Sequence, residues 1–411
     1  MNNKELKNGI NVIGLGYTGL PTALMLAASG YKVTGTDCQE QLVSQLSQGR
    51  LPFTEQGMAE LFEKALSQRI SFSREYQATN FYIIAVPTPY VKETKKVDPV
   101  FLIQALRETL SVCLKGAVIV FESTIAPGTI DTYIRPIVAE AGLVVGKDIH
   151  LAHAPERILP GNMIEELKQN ARTIGADSSN IAQRIKEVYQ SFCCGEIEVT
   201  SIRTAEMTKV VENTYRDINI AFANELAKIC SDELDVYEVI RIANKHPRVD
   251  ILKPGPGVGG HCISVDPWFL VGAFPEQTPL IRTARLVNEK MPEHVRMKIK
   301  AIMNENELVD DSRVGLYGLS YKENVDDVRE SPTLQLQSLL EKKGGPLFKT
   351  YDPLVNQIIT THQMMNFDDF LAEVDVVVIM VAHQHLKDNL WKLKNKIILD
   401  TQYMVEGAYY L

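Results

Sequence analysis

An apolar run that breaks on glycine and leads, through an amphipathic stretch, to a second apolar run ending in aspartate occurs near both ends of this chain. Asn11-Val-Ile-Gly-Leu-Gly16 passes through 17–30 to Val33-Thr-Gly-Thr-Asp37, and Arg313-Val-Gly-Leu-Tyr-Gly-Leu319 is followed by Lys349-Thr-Tyr-Asp352. Short apolar runs separated by helical spacing read as buried parallel strands, because parallel neighbours need a long crossover, usually a helix. The first copy continues with apolar runs at 81–86 and 117–121, helical spacing at 99–113 and 129–141, and further strands at 149–152 and 172–174; the second continues at 374–381. That alternation confines the chain to an α/β class with two Rossmann-like, doubly wound parallel-sheet domains.

Between the copies, residues 201–232 contain neither Gly nor Pro, which predicts a single helix of ~45 Å. A helix of that length links domains or builds a dimer interface. A second helical stretch, 283 to 304, is expected to kink or divide at Pro292. The expected organisation is therefore a cofactor-binding Rossmann domain over 1–195, a helical central domain over 196–304 and a smaller Rossmann-like domain over 305–411.

Gly14-Leu15-Gly16-Tyr17-Thr18-Gly19 follows a predicted strand and opens a predicted helix. In that setting the first glycine permits a tight turn, the second lets backbone N–H groups approach a pyrophosphate, and the third allows close helix–strand packing. Asp37, at the end of the next strand, can accept hydrogen bonds from a ribose diol and would repel a 2′-phosphate, which points to NAD rather than NADP. Pro87 and Thr88, and Glu122, Ser123 and Thr124, follow two further apolar runs and should face the same crevice at the carboxyl ends of the strands.

Two other features bear on chemistry. Pro254-Gly-Pro-Gly-Val-Gly-Gly-His-Cys262 crowds four glycines ahead of a cysteine, with Asp266 four residues on; this is either a displayed nucleophilic thiol or a tight turn carrying a buried cysteine. Lys209 and Asn213 are one turn apart in the long helical segment, as a functional pair or as part of a solvated face. The net charge of −8 without a basic block argues against nucleic acid as a partner. No run approaches ~18 apolar residues, so no membrane span is expected. The start lacks an apolar signal region, so a cytoplasmic protein with reduced thiols is expected. The six cysteines form no Cys-x-x-Cys pair or Cys/His cluster, so no metal site is expected.

Read in order, Gly14-Leu-Gly-Tyr-Thr-Gly19, Pro87-Thr-Pro89, Glu122-Ser-Thr-Ile-Ala-Pro-Gly128, Ala154-Pro-Glu-Arg157, Lys209 with Asn213, Gly259-Gly-His-Cys262, and Tyr321-Lys322 with Arg329-Glu-Ser331 resemble the UDP-glucose/GDP-mannose dehydrogenase family over nearly the whole chain. Pro155-Glu-Arg-Ile-Leu-Pro-Gly161, Glu212-Asn-Thr-Tyr-Arg-Asp-Ile-Asn219, Asn244-Lys-His-Pro-Arg248 and Asp266-Pro-Trp-Phe269 look most like members acting on UDP-N-acetyl-mannosamine. The resemblance implies a four-electron oxidation of the C6 alcohol of a UDP-N-acetylhexosamine, using two NAD and one water. The gluco and galacto epimers or UDP-glucose are alternatives, and a non-catalytic NAD-binding sensor is the other class.

It also implies roles. Cys262 would hold the C6 aldehyde as a thiohemiacetal and then a thioester, Lys209 and Asn213 would stabilise oxyanions, and Asp266 would lie near the nucleophile. Thr124 and Glu156 would position water or assist proton transfer, Glu156 as the base for hydrolysis. Arg157, Ile158, Lys209, Asn213, Arg216, His246, Arg248, Gly257, Tyr321 and Lys322 would bind the sugar nucleotide, Arg248 across a homodimer built on the long helix, and Arg329 would contact NAD. Two departures stand out: Pro160 occupies a position where UDP-glucose dehydrogenases typically carry a carboxylate, which disfavours glucose, and 400–404 lacks the family's frequent arginine, so Gln402 or another residue is expected to replace a phosphate contact.

Overall fold

Eight strands build the first sheet: β1 (Ile10–Ile13), β2 (Val33–Thr36), β3 (Ile70–Ser73), β4 (Phe81–Ile84), β5 (Ala117–Phe121), β6 (Ile149–His153), β7 (Arg172–Ala176) and β8 (Ile197–Thr200), in the order β3-β2-β1-β4-β5-β6-β7-β8. They belong to a computed structural model that describes residues 9–230, 234–260 and 262–411. β1, β4 and β5 are buried throughout, as continuous apolar strands covered on both faces must be. Helix α1 (Gly19–Ala28), which follows the glycine turn, is buried along nearly its whole length. The order reverses between β1 and β4, and that is where a doubly wound sheet opens its crevice.

Several expectations change. The sheet is not wholly parallel: β6 and β7 are antiparallel, with Ala152 opposite Ala176 and His153 opposite Gly175. The intervening chain stays at the end of the sheet where β6 stops, so β7 runs back. β3 (Ile-Ser-Phe-Ser) and β8 (Ile-Glu-Val-Thr) are additional strands at the two edges, where alternating polar residues blur the apolar signal. β8 pairs with β7, so the first sheet continues past residue 195. The segment 129–141 opens as a π-helical turn, Ile130–Ile134, before the helix Arg135–Glu140.

Helix α2 (Ile202–Ile229) has 28 residues, or ~42 Å; 231 and 232, expected to extend it, lie outside the described residues. The chain divides into two compact units, one running to Val211 and including Gly272–Phe274, the other comprising Glu212–Val271 and Pro275–Leu411. The second helical stretch divides at Lys290 into Pro279–Glu289 and Met291–Glu305, with Pro292 in the first turn of the latter, where its missing N–H costs nothing.

The second sheet holds β9 (Val314–Tyr317), β10 (Lys349–Tyr351), β11 (Gln363–Met364), β12 (Val376–Ile379), β13 (Ile397–Asp400) and β14 (Tyr409–Tyr410), ordered β11-β10-β9-β12-β13-β14 and parallel throughout. The repeat extends to individual hydrogen bonds. Gly14 (φ 87°) and Gly318 (φ 99°) make the same left-handed turn, and each donates its N–H at 2.8 Å to the end of the next strand, Thr36 O or Tyr351 O. Asp37 accepts from Leu15 N–H at 2.8 Å, and Asp352 accepts from Leu319 and Ser320 N–H at 2.7 and 3.0 Å. The copies differ one residue later. Where the first has Gly16, the second has fully buried Ser320, whose hydroxyl lies 3.1 Å from His383 Nε2.

Candidate active site

The cofactor loop is shaped by what its glycines exclude. A Cβ at Gly14 would lie 2.6 Å from Ala85 O, and one at Gly19 would lie 1.9 Å from Gly14 O. Gly16 is exposed, and a Cβ there would meet nothing within 4 Å. The turn is therefore closed on the protein side and open above Gly16 at the start of α1, the space and polarity a diphosphate requires. Asp37 stands at the end of β2 with its carboxylate already braced by Leu15 and Gln39 N–H groups. These residues fit NAD. Tyr17 stacks on Phe53 at 4.4 Å, and Thr18 precedes α1.

The clusters after β4 and β5 are tied to each other. Thr88 Oγ1 donates to Thr124 O at 2.6 Å, and Ser123 Oγ donates to Val86 O at 2.6 Å; Pro87 is exposed. Glu122, expected to line the crevice, has its side chain turned inward. It meets Arg172 at 3.3 Å and accepts from Tyr189 O–H at 3.1 Å. Arg172 also binds Glu156, and all three charged side chains are 5% exposed or less. The Arg172 guanidinium lies over the Tyr189 ring at 4.4 Å. Burial pushes the Glu122 carboxyl up to about 7, since Arg172 is shared with a second carboxylate.

Glu156 has both oxygens engaged, one by Arg172 and the other by Arg157 N–H at 2.6 Å. Arg157 directs its guanidinium to Ala171 O and Thr173 Oγ1, at 2.7 and 2.9 Å, and Ile158 packs against the first unit's core. On α2, Glu206 accepts from Gly128 and Ile130 N–H at 2.6 and 3.0 Å, which anchors the loop after Thr124 one turn before buried Lys209. Sequence reading missed Arg172, Tyr189 and Glu206. An arginine heading an apolar strand was the one visible hint, because buried arginine demands partners.

In the second unit, Asn213 Nδ2 donates to Asp266 Oδ2 at 2.6 Å, with both residues buried. Asp266 opens helix α3 (Asp266–Ala273), and its N–H donates to Cys262 O at 2.8 Å, so the half-buried thiol sits just ahead of that helix. The glycines before it are compelled: a Cβ at Gly259 would meet Glu330 O at 2.6 Å, and one at Gly260 (φ 83°) would meet the Tyr321 ring at 2.8 Å. Asn224, itself held by Asn288, accepts Gly255 N–H at 2.9 Å. Asn288 and Arg285 converge on Asp217, three buried residues behind the loop that sequence reading did not single out.

The remaining residues are less gathered. Arg216, His246 and Arg248 are exposed, Gly257 lies in the cysteine loop with φ 140°, and Tyr321 and Lys322 are half-buried. Arg329 forks onto Asp327, with its Nη2 2.6 Å from Oδ2. Gln402 donates to Met380 O at 2.8 Å, which braces the ends of the second sheet.

Three domain models of the UDP-glucose/GDP-mannose dehydrogenase family match the chain: the NAD binding domain over residues 8–193, the central domain over 203–290 and the UDP binding domain over 315–407. UDP-N-acetyl-D-mannosamine dehydrogenase of Methanocaldococcus jannaschii is 42% identical across 97% of this chain and 94% of its own length. NDP-N-acetyl-D-galactosaminuronic acid dehydrogenase of Ralstonia nicotianae is 37% identical across 96% of each. The solved UDP-N-acetyl-mannosamine dehydrogenase of S. aureus superposes with a TM-score of 0.87 at 39% identity, covering 98% of this chain and 97% of that one.

Proposed function

The chain belongs to the UDP-glucose/GDP-mannose dehydrogenase family, and we propose that it oxidises UDP-N-acetyl-D-mannosamine at C6 to UDP-N-acetyl-D-mannosaminuronate. It is an NAD-dependent oxidoreductase of nucleotide sugars. The observation that carries the substrate-level chemistry is Cys262 on its glycine loop, its backbone carbonyl accepting the Asp266 N–H, with Asn213 hydrogen-bonded to the Asp266 carboxylate. The preference for an N-acetylated mannose rests on the relatives above and on Pro160, where a glucose enzyme would carry a carboxylate. The uronate product would feed surface polysaccharide synthesis from the cytoplasm. Among the described residues no helix is long and apolar enough to cross a membrane.

NAD, bound over the Gly14–Gly16 turn, supplies the hydride acceptor for each of two oxidations. The Cys262 thiolate adds to the C6 aldehyde and keeps it bound as a thiohemiacetal. After oxidation to the thioester, one water cleaves the C–S bond, which releases the acid and regenerates the thiol. Oxygen at C6 carries negative charge at each addition. Lys209 supplies a cation there and Asn213 an amide donor whose orientation Asp266 fixes. Glu156, held in place by Arg172 and by Arg157 N–H, positions the water through its remaining lone pairs. The 157–162 loop, shaped by Arg157, faces the nucleotide sugar together with Arg216, His246, Tyr321 and Lys322.

The chain forms a homodimer in this reading. Val211, Tyr215, Phe222 and Ile229 are exposed on α2 at intervals of four, seven and seven residues, an apolar stripe on one helix face. The test of function is NADH formed per sugar across UDP-hexoses and UDP-N-acetylhexosamines. Two NADH per UDP-N-acetyl-mannosamine is expected. Turnover of UDP-glucose alone, or of the galacto epimer in preference, would reject the substrate, and absence of turnover with every sugar would reject catalysis.

A further inference from the structure

The loop that follows Glu156 is held from far away in the sequence. Helix Met163–Gln169 begins without a side-chain cap from Asn162. Instead, Glu55 Oε1 accepts from Met163 N–H at 2.9 Å and Oε2 accepts from Gly161 N–H at 2.8 Å. Glu166 accepts Leu159 N–H at 2.7 Å from the other side. Gly161 has φ 102°, a conformation that favours glycine and that the two carboxylates hold in place. The start of a helix leaves N–H groups without intrahelical partners, and a carboxylate there gains from both hydrogen bonding and the helix dipole.

The same short segment touches the cofactor loop. Phe53, two residues before Glu55, is the ring that stacks on Tyr17, with the planes 24° apart. Leu51 and Phe53 pack with Ile158 against one core cluster. Residues 51–57 therefore reach the cofactor loop through one side chain and the 157–162 loop through another.

We propose that this segment is a two-ended strap in which Glu55 is a positioning residue for sugar recognition and Phe53 one for cofactor recognition. It rests on the reading that 157–162 contacts the nucleotide sugar. A loop already ordered spares the ligand the entropy of ordering it, so releasing either end should weaken the ligand at that end and leave the other largely untouched.

Glu55→Gln preserves size but presents an amide NH₂ to one of the two N–H groups. The expected result is a rise of about tenfold in KM for the UDP-sugar, with kcat and KM for NAD within about twofold of wild type. Phe53→Leu should do the converse, raising KM for NAD and sparing that for the sugar. Unchanged sugar KM in Glu55→Gln, or equal rises in both KM values with a lowered Tm, would overturn the strap. Hydrogen exchange of Gly161 and Met163 in ligand-free protein reads the hold itself: faster exchange in Glu55→Gln is expected, and unchanged exchange refutes it. That readout survives even where the wild-type protein oxidises no UDP-sugar, an outcome that rejects the proposed function instead.

Discussion

Arg172 is one cation set between two carboxylates in a region that water does not reach. Burial opposes its charge, but Glu156 and then Glu122 outweigh that cost and keep the guanidinium protonated above its ordinary range. One positive charge is shared between two carboxylates, so Arg172 offsets only part of what burial costs Glu122. The Glu122 carboxyl therefore rises from 4.5 to about 7. In that window the folded protein keeps a proton that the unfolded chain releases. The stability Glu122 contributes is therefore complete below pH 4.5 and is lost as pH rises through about 7. Glu122→Gln, which mimics the neutral acid, should flatten the decline of Tm over that interval. Melts that show the same slope in both proteins would mean another group titrates there. The sequence marked Glu122 as a strand-end residue but could not say that it faces inward, because that depends on which strands lie beside β5.

At the scale of elements, the glycine turns show why this motif was legible as a turn. Gly14, Gly16 and Gly19 are neighbours in sequence, and their constraints act over one turn and the first residues of α1. The structure separates two kinds of glycine in that motif. Gly19 is required by packing, with no room for a Cβ, and Gly16 is required only by what approaches it from outside. Gly16→Val should therefore leave Tm within a few degrees of wild type while weakening NAD binding at least tenfold by calorimetry. Retained NAD affinity in that variant would move the cofactor off this loop. The same locality explains the misses. β3 and β8 are short edge strands with alternating polar residues, and the antiparallel β7 is a matter of where the 154–171 connection leads. The pairing of Asn213 with Asp266 spans 53 positions, and no periodicity announces it.

For the molecule as a whole, the exposed stripe on α2 makes oligomeric state a direct test. Phe222 is 49% exposed, so Phe222→Glu removes no core contact within the chain. Sedimentation should show a dimer for the wild-type protein and a monomer for this variant. If Arg248 acts across the dimer, activity should fall with the same concentration dependence; a variant that stays dimeric would place the interface elsewhere. By itself, the sequence determined the α/β class, the duplicated glycine turns and the long helix. Those depend on local periodicity and on short motifs whose chemistry is confined to a few adjacent positions. Tertiary structure alone decided which charges are buried together, that Arg172 is shared by Glu122 and Glu156, that Glu55 caps a helix more than a hundred residues on, and that the second glycine turn is filled by Ser320 and His383. Each of these depends on segments distant in the chain being brought within hydrogen-bonding range, and buried polar groups must find partners wherever the fold places them.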